Sequence, residues 1–148
     1  MRETNRTGLT THLAVAKRLT ELEYEVLQPM DESAPYDLAF VAMTGNGWFR
    51  SSKPILYRVQ CKSAHYYEEG RHNGVITFNA YAAHGGNGKK GKGYWGKAEY
   101  FGVYCTDLDK VYLVPVLSFA NATKIQLRIK KPKNNQEVGV VWAKDYEL

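Results

Sequence analysis

Apolar and polar positions follow two different periods along the chain. Near the N-terminus apolar residues recur every three or four positions. Leu9, Leu13, Ala16 and Thr20 make one stripe, and His12, Val15, Ala16 and Leu19 make an overlapping one. That spacing is the pattern of an amphipathic helix. Thr7, Thr10 and Thr11 are candidate N-caps, so a helix is predicted over about residues 10–22. His12 then falls in its first turn, at the edge of the buried face.

After residue 22 the period changes to two or the runs become wholly apolar, which are strand patterns. Short strands are predicted at residues 23–27, 37–43, 56–63, 75–79, 100–105, 111–115, 125–129 and 138–142. The strand at 56–63 alternates. Leu56, Arg58, Gln60 and Lys62 share one face, and Tyr57, Val59, Cys61 and Ser63 share the other. Gln126, Arg128 and Lys130 likewise share a face. Glycines and prolines punctuate the rest. The segment 28–34 is read as a loop carrying Asp31 and Glu32. The connection 44–55 carries Trp48 and Phe49, and 65–71 is polar and loop-like. Residues 83–96 hold six glycines and three lysines, too little apolar surface to build a core. The sum is an α/β (α+β) chain: one domain over residues 1–148, with a leading N-terminal helix on a mixed sheet of five or more strands.

One consequence is chemical. If strands 37–43 and 56–63 pair as an antiparallel hairpin centred on their connection, Met43 lies near Leu56. Asp37 then lies opposite Lys62. An acid, an amide (Gln60) and a lysine meet at one end of an apolar element. Charges there are costly unless paired or bound to a metal. Asp37, Gln60 and Lys62 are therefore candidate site residues, with His12 reaching toward them from the helix.

Charge adds a partner. The 148 residues carry a net charge of +5, and Lys89, Lys90, Lys92 and Lys97 crowd the glycine-rich segment. Arg128, Lys130, Lys131 and Lys133 form a second basic run. Both runs favour a polyanion, nucleic acid first. The two cysteines, Cys61 and Cys105, lack metal-ligand spacing and read as reduced, buried thiols. No apolar run approaches the roughly 18 residues of a membrane span, and the polar N-terminus is unlike a signal peptide. A cytoplasmic protein is the expectation. No phosphate-loop pattern accompanies the glycines.

A helix, a strand bearing Asp and a strand bearing an acid or amide, any residue, then Lys resembles the skeleton of the PD-(D/E)xK nuclease superfamily. Here it stands as Pro35-Tyr36-Asp37 and Gln60-Cys61-Lys62. Further blocks extend the likeness over nearly the whole chain. They include Gly74-Val75-Ile76-Thr77-Phe78-Asn79, Lys110-Val111-Tyr112-Leu113-Val114-Pro115 and Trp142-Ala143-Lys144-Asp145-Tyr146. They resemble the group I intron-encoded homing endonucleases of that superfamily. The resemblance implies a restriction-endonuclease-like core, a double-strand DNA endonuclease using Mg²⁺ (Mn²⁺ as substitute), and a tetramer, or otherwise a dimer. It implies metal ligands at Asp37, Gln60 and the Cys61 backbone carbonyl, with Lys62 and His12 as further catalytic residues. Arg58, Lys89, Lys90, Lys92, Lys97, Gln126, Arg128 and Lys130 are the candidate DNA contacts.

The chain departs from the pattern twice. Gln60 stands where many members carry an acid. His12 stands where the family places a helical glutamate, and Asp31 or Glu32 could fold in to replace that acid. A junction-resolving nuclease and a non-cleaving DNA-binding protein are the alternative readings.

Overall fold

The computed structural model describes residues 3–44, 53–81 and 93–148. Helix α1 (Glu3–Glu21) is followed by seven strands. They are β1 (Glu25–Leu27), β2 (Leu38–Thr44), β3 (Lys53–Tyr67), β4 (Val75–Asn79), β5 (Tyr100–Cys105), β6 (Lys110–Pro115) and β7 (Lys124–Arg128). All seven form one sheet ordered β1-β2-β3-β4-β7, with β5 on β3 and β6 on β5. The β3–β5 pair is parallel and the others are antiparallel. The expected mixed sheet with a leading helix is thus the fold, an α+β restriction-endonuclease-like arrangement.

The fold turns on β3, which at 15 residues is the longest strand. Its two edges are used differently. Glu99 N–H donates to Arg58 C=O, so even-numbered residues of β3 turn their backbone groups toward β5. Asp37 N–H donates to Val59 C=O and Gly74 N–H to Tyr67 C=O, so odd-numbered residues face β2 and β4. β2 pairs with β3 only as far as Val59, and β4 begins only at His65. Between them β2 and β4 diverge and leave a fork at Cys61 and Ser63. The polar character of His65 predicts a loop there, but β4 recruits residues 65–67 into the strand.

The register also differs from expectation. Met43 pairs with Pro54, not Leu56, and Leu38 pairs with Val59. Asp37 therefore comes level with Gln60 rather than Lys62. The slip is two residues, so every side chain keeps its face.

α1 begins at Glu3, well before the expected caps, and Thr7 bonds back to the Glu3 carbonyl at 3.1 Å. His12 consequently lies in the third turn. The buried stripe is Thr11, Val15 and Leu19, while Leu9 and Leu13 of the other expected stripe are exposed. α1 packs on the β3 face bearing Val59. Gly102 permits this, because a β-carbon there would lie 2.7 Å from Val15 Cγ1 and 2.8 Å from Val59 Cγ1. The opposite face carries a second core of Ile76, Phe78, Phe101, Val103, Tyr112, Ile125 and Leu127. Residues 138–142 form no strand; Trp142 makes a single parallel bridge to Arg128. Trp48 and Phe49 lie outside the described residues, as do Lys89, Lys90 and Lys92.

Candidate active site

The fork in β3 supplies the site. A strand edge without a neighbour leaves backbone groups that must be paired some other way. Asp37, the last residue before β2, fills that need. Its Oδ2 accepts from the Cys61 backbone N–H at 2.7 Å and from the Gln60 amide. Both bonds fall on Oδ2, which leaves Oδ1 available to a cation. By strand alternation the Cys61 carbonyl points into the same fork.

Asp37 is half-buried at the boundary between the two sheet faces. Burial raises its pKa above the ordinary carboxylate value; the bond from Cys61 N–H and the charges of His12 and Lys62 pull it back. Lys62 lies on the face away from α1. Its Nζ donates to the Tyr81 carbonyl at 2.9 Å and to the Tyr94 hydroxyl at 3.1 Å. Burial lowers the Lys62 pKa, with Asp37 opposing. The Cys61 thiol is pushed well up by burial and by Asp37, so it is an unreactive neutral group.

His12 approaches from α1. Thr11 and Ser63 share a hydrogen bond of 2.6 Å, which fixes this turn of the helix against β3. His12 Nε2 meets the Gln28 side-chain amide. Together these groups line a cleft of about 570 Å³ whose walls include Asn5, Thr11, His12, Gln28, Asp37, Gln60 and Cys61. The cleft is open, and its walls mix polar and apolar surface in nearly equal parts, with room for a phosphate and water.

The structure thus brings together Asp37, Gln60, Cys61, Lys62 and His12. It does not bring in Asp31 or Glu32. Asp31 is exposed and caps Ser33 N–H at 2.8 Å, and Glu32 is exposed too. Gln28, Tyr81 and Tyr94 were not legible as site residues, because each arrives through pairing of distant segments. Arg58 is committed to Glu99: its Nη2 lies 2.5 Å from Glu99 Oε1, and its backbone N–H also donates to that carboxylate. Arg58 is thus engaged in an ion pair within the chain, about one-third exposed. Gln126, Arg128 and Lys130 sit beyond β4 from the fork. Gln126 meets His72, Arg128 donates to Asn73 C=O at 2.9 Å, and Lys130 lies over the Tyr66 ring.

The donor set can be tested against a divalent cation. Among the described residues no cluster of three His, Cys, Asp or Glu side chains exists, so a site closed entirely by such side chains is excluded there. Among the described residues Asp37 Oδ1, the Gln60 amide and the Cys61 carbonyl remain as oxygen donors, beside an open cleft with room for water. Mg²⁺ is a hard ion that keeps several waters and needs one or two carboxylates. The residues fit it.

Residues 2–148 match the family described as PD-(D/E)XK endonuclease. The chain belongs to that family. It is a DNA endonuclease, and PD-(D/E)XK nucleases generally use divalent metal ions. A solved structure of a bacterial homing endonuclease, I-Ssp6803I, superposes with a TM-score of 0.68 at 18% identity, covering 99% of this chain and 89% of that one. This likeness concerns the fold. No curated protein matches significantly by sequence. Among the described residues no helix is long and apolar enough to cross a membrane.

Proposed function

We propose that this PD-(D/E)XK endonuclease is a Mg²⁺-dependent, site-specific double-strand DNA nuclease of the homing type. The observation that carries the reading is the fork in β3, which gathers Asp37, Gln60 and the Cys61 backbone at one open cleft, with the Lys62 charge acting on Asp37 from the other sheet face. The net charge of +5 and the whole-chain likeness to a homing endonuclease support it.

In this reading Asp37, the Gln60 amide oxygen and the Cys61 carbonyl hold Mg²⁺, with Mn²⁺ as a substitute. Bound there, the ion supplies Lewis-acid polarisation of the scissile phosphate and a water of lowered pKa. Lys62 orients that water or a phosphate oxygen and offsets the negative charge that grows in the transition state. His12, oriented by Gln28, binds a water or the phosphate. Water gives up a proton as its oxygen bonds to phosphorus, the bond from phosphorus to the leaving oxygen breaks, and that oxygen takes up a proton from solvent. Lys97, Gln126, Arg128 and Lys130, with Lys89, Lys90 and Lys92, contact the DNA. A chain of 148 residues spans a long recognition site only in several copies, so a homo-oligomer, tetramer or dimer, belongs to the proposal.

The test is substrate choice. The protein is incubated with intron-insertion duplexes, a four-way junction and random duplex, with Mg²⁺. Cutting of one specific duplex is expected. Preferential cutting of the junction would overturn the homing assignment in favour of a junction resolvase.

A further inference from the structure

Lys62 is held by two segments that the chain brings together from its far side. Tyr81 and Gly93 form an isolated antiparallel bridge. The Tyr81 carbonyl, on one side of that bridge, accepts from Lys62 Nζ at 2.9 Å. The Tyr94 hydroxyl, just past the other side, accepts at 3.1 Å, and its ring centroid lies 4.5 Å from the same nitrogen. Tyr94 is itself fixed twice. Its carbonyl accepts from Lys97 N–H at 2.9 Å and Ala98 N–H at 3.1 Å, which forms a turn into β5. Its ring stands edge-on to Phe101, with centroids 5.8 Å apart at 90°. A lysine stem has four rotatable bonds and much rotamer entropy. An ammonium has three donors, so the two tyrosines leave one for chemistry.

Resting on the nuclease reading of Lys62, we propose that Tyr94 is a positioning residue. It acts through Lys62, by hydroxyl and by ring face, and holds the ammonium in a single pose with one N–H directed to the reacting groups. Tyr81 contributes only its backbone, so Tyr94 is the side chain that tunes the pose. A group whose own rotamer is locked by packing is the kind of support that keeps a reacting group aligned.

The test uses the full chain with Tyr94→Phe and Tyr94→Leu, read in two independent ways. The first is the ¹H–¹⁵N spectrum of lysine ammonium groups, with the Lys62 signal assigned by its loss in Lys62→Ala. A sheltered, resolved signal is expected in the wild type. It shifts in Tyr94→Phe, which keeps the ring against Phe101, and broadens away in Tyr94→Leu. The second is single-turnover cleavage at saturating DNA. The rate falls about tenfold for Tyr94→Phe, the loss of one bond to a charged group, and about 100-fold for Tyr94→Leu, the loss typical of a misplaced group. DNA affinity stays within about twofold in both, since the effect is on alignment rather than substrate binding. An ammonium signal indifferent to Tyr94→Leu, or wild-type cleavage by that variant, would overturn the proposal. A wild type that cuts no DNA while its Lys62 signal still follows Tyr94 would overturn the nuclease reading alone.

Discussion

Asp37 and Cys61 are joined across the open edge of β3: the Cys61 backbone N–H donates to Asp37 Oδ2 at 2.7 Å. A side chain thereby completes a ladder that β2 and β4 both abandon. The same bond that satisfies the backbone sets the carboxylate beside Gln60. Sheet divergence and site construction are one event.

Asp37 has a cost in the metal-free protein. Its pKa is raised by burial above the ordinary 3.8, so the native state binds its proton more tightly than the unfolded chain does. This stabilises the fold at low pH. The contribution is lost as pH rises from the ordinary value through the raised one. Asp37→Asn keeps a hydrogen-bonding oxygen for Cys61 and removes the charge. Calorimetry without metal at pH 7 is expected to show a higher Tm for the variant than for the wild type. Mg²⁺ raises the Tm of the wild type but not of Asp37→Asn. A lower Tm for the variant would contradict this.

His12 lines the same cleft as Asp37 and offers no hard oxygen. His12→Glu adds a second carboxylate there. The Mg²⁺ concentration for half-maximal cleavage is expected to fall about tenfold, because affinity follows ligand charge. A lower rate at saturating Mg²⁺ would show that the imidazole has its own part in the reaction.

Gly102 is where α1 approaches the sheet most closely. An added methyl collides with Val15 and Val59 at 2.7 and 2.8 Å, and neither wall gives freely, since both are fully buried. Gly102→Ala is expected to destabilise by about 1–3 kcal/mol in urea unfolding, the usual cost of overpacking. An unchanged midpoint would mean that α1 lies further from β5.

The Arg58–Glu99 pair ties the start of the parallel β3–β5 contact. The Arg58 guanidinium holds the Glu99 carboxyl below its ordinary 4.5. Its stabilisation is therefore complete above the ordinary value and is lost as pH falls through the lowered one. The pair is about one-third exposed (31% and 36%), so solvent screening limits its worth to about 1 kcal/mol or less. Glu99→Gln should lower stability by that amount at pH 7 and by less at pH 2, as read by urea midpoints. Equal losses at both pH values would contradict it.

Alternation along β3 puts Gln60 and Lys62 on one face and makes the Asp37–Gln60–Lys62 grouping legible in the sequence. Apolar pattern specifies the face of a strand, while a long connection leaves its register loose. That is why Asp37 came out level with Gln60 instead of Lys62 and the grouping survived. The start of α1 was hidden because residues 3–8 are exposed and carry no apolar stripe. Residues 65–67 read as loop because partner β4, not composition, makes them a strand. Gln28, Tyr81 and Tyr94 had no local signal at all: Gln28 reaches His12 from the end of β1, and Tyr81 and Tyr94 reach Lys62 from beside an isolated bridge.

The proposed function rests on metal-dependent DNA cleavage at the β3 fork. It is tested most directly by incubating the wild type, Asp37→Asn and Lys62→Ala with a library of duplex DNA, with and without Mg²⁺. Double-strand cuts are expected from the wild type only, at one sequence and only with Mg²⁺, with both variants at least about 100-fold slower while still binding DNA. Equal cleavage by Asp37→Asn, or by the wild type in a chelator, would contradict it.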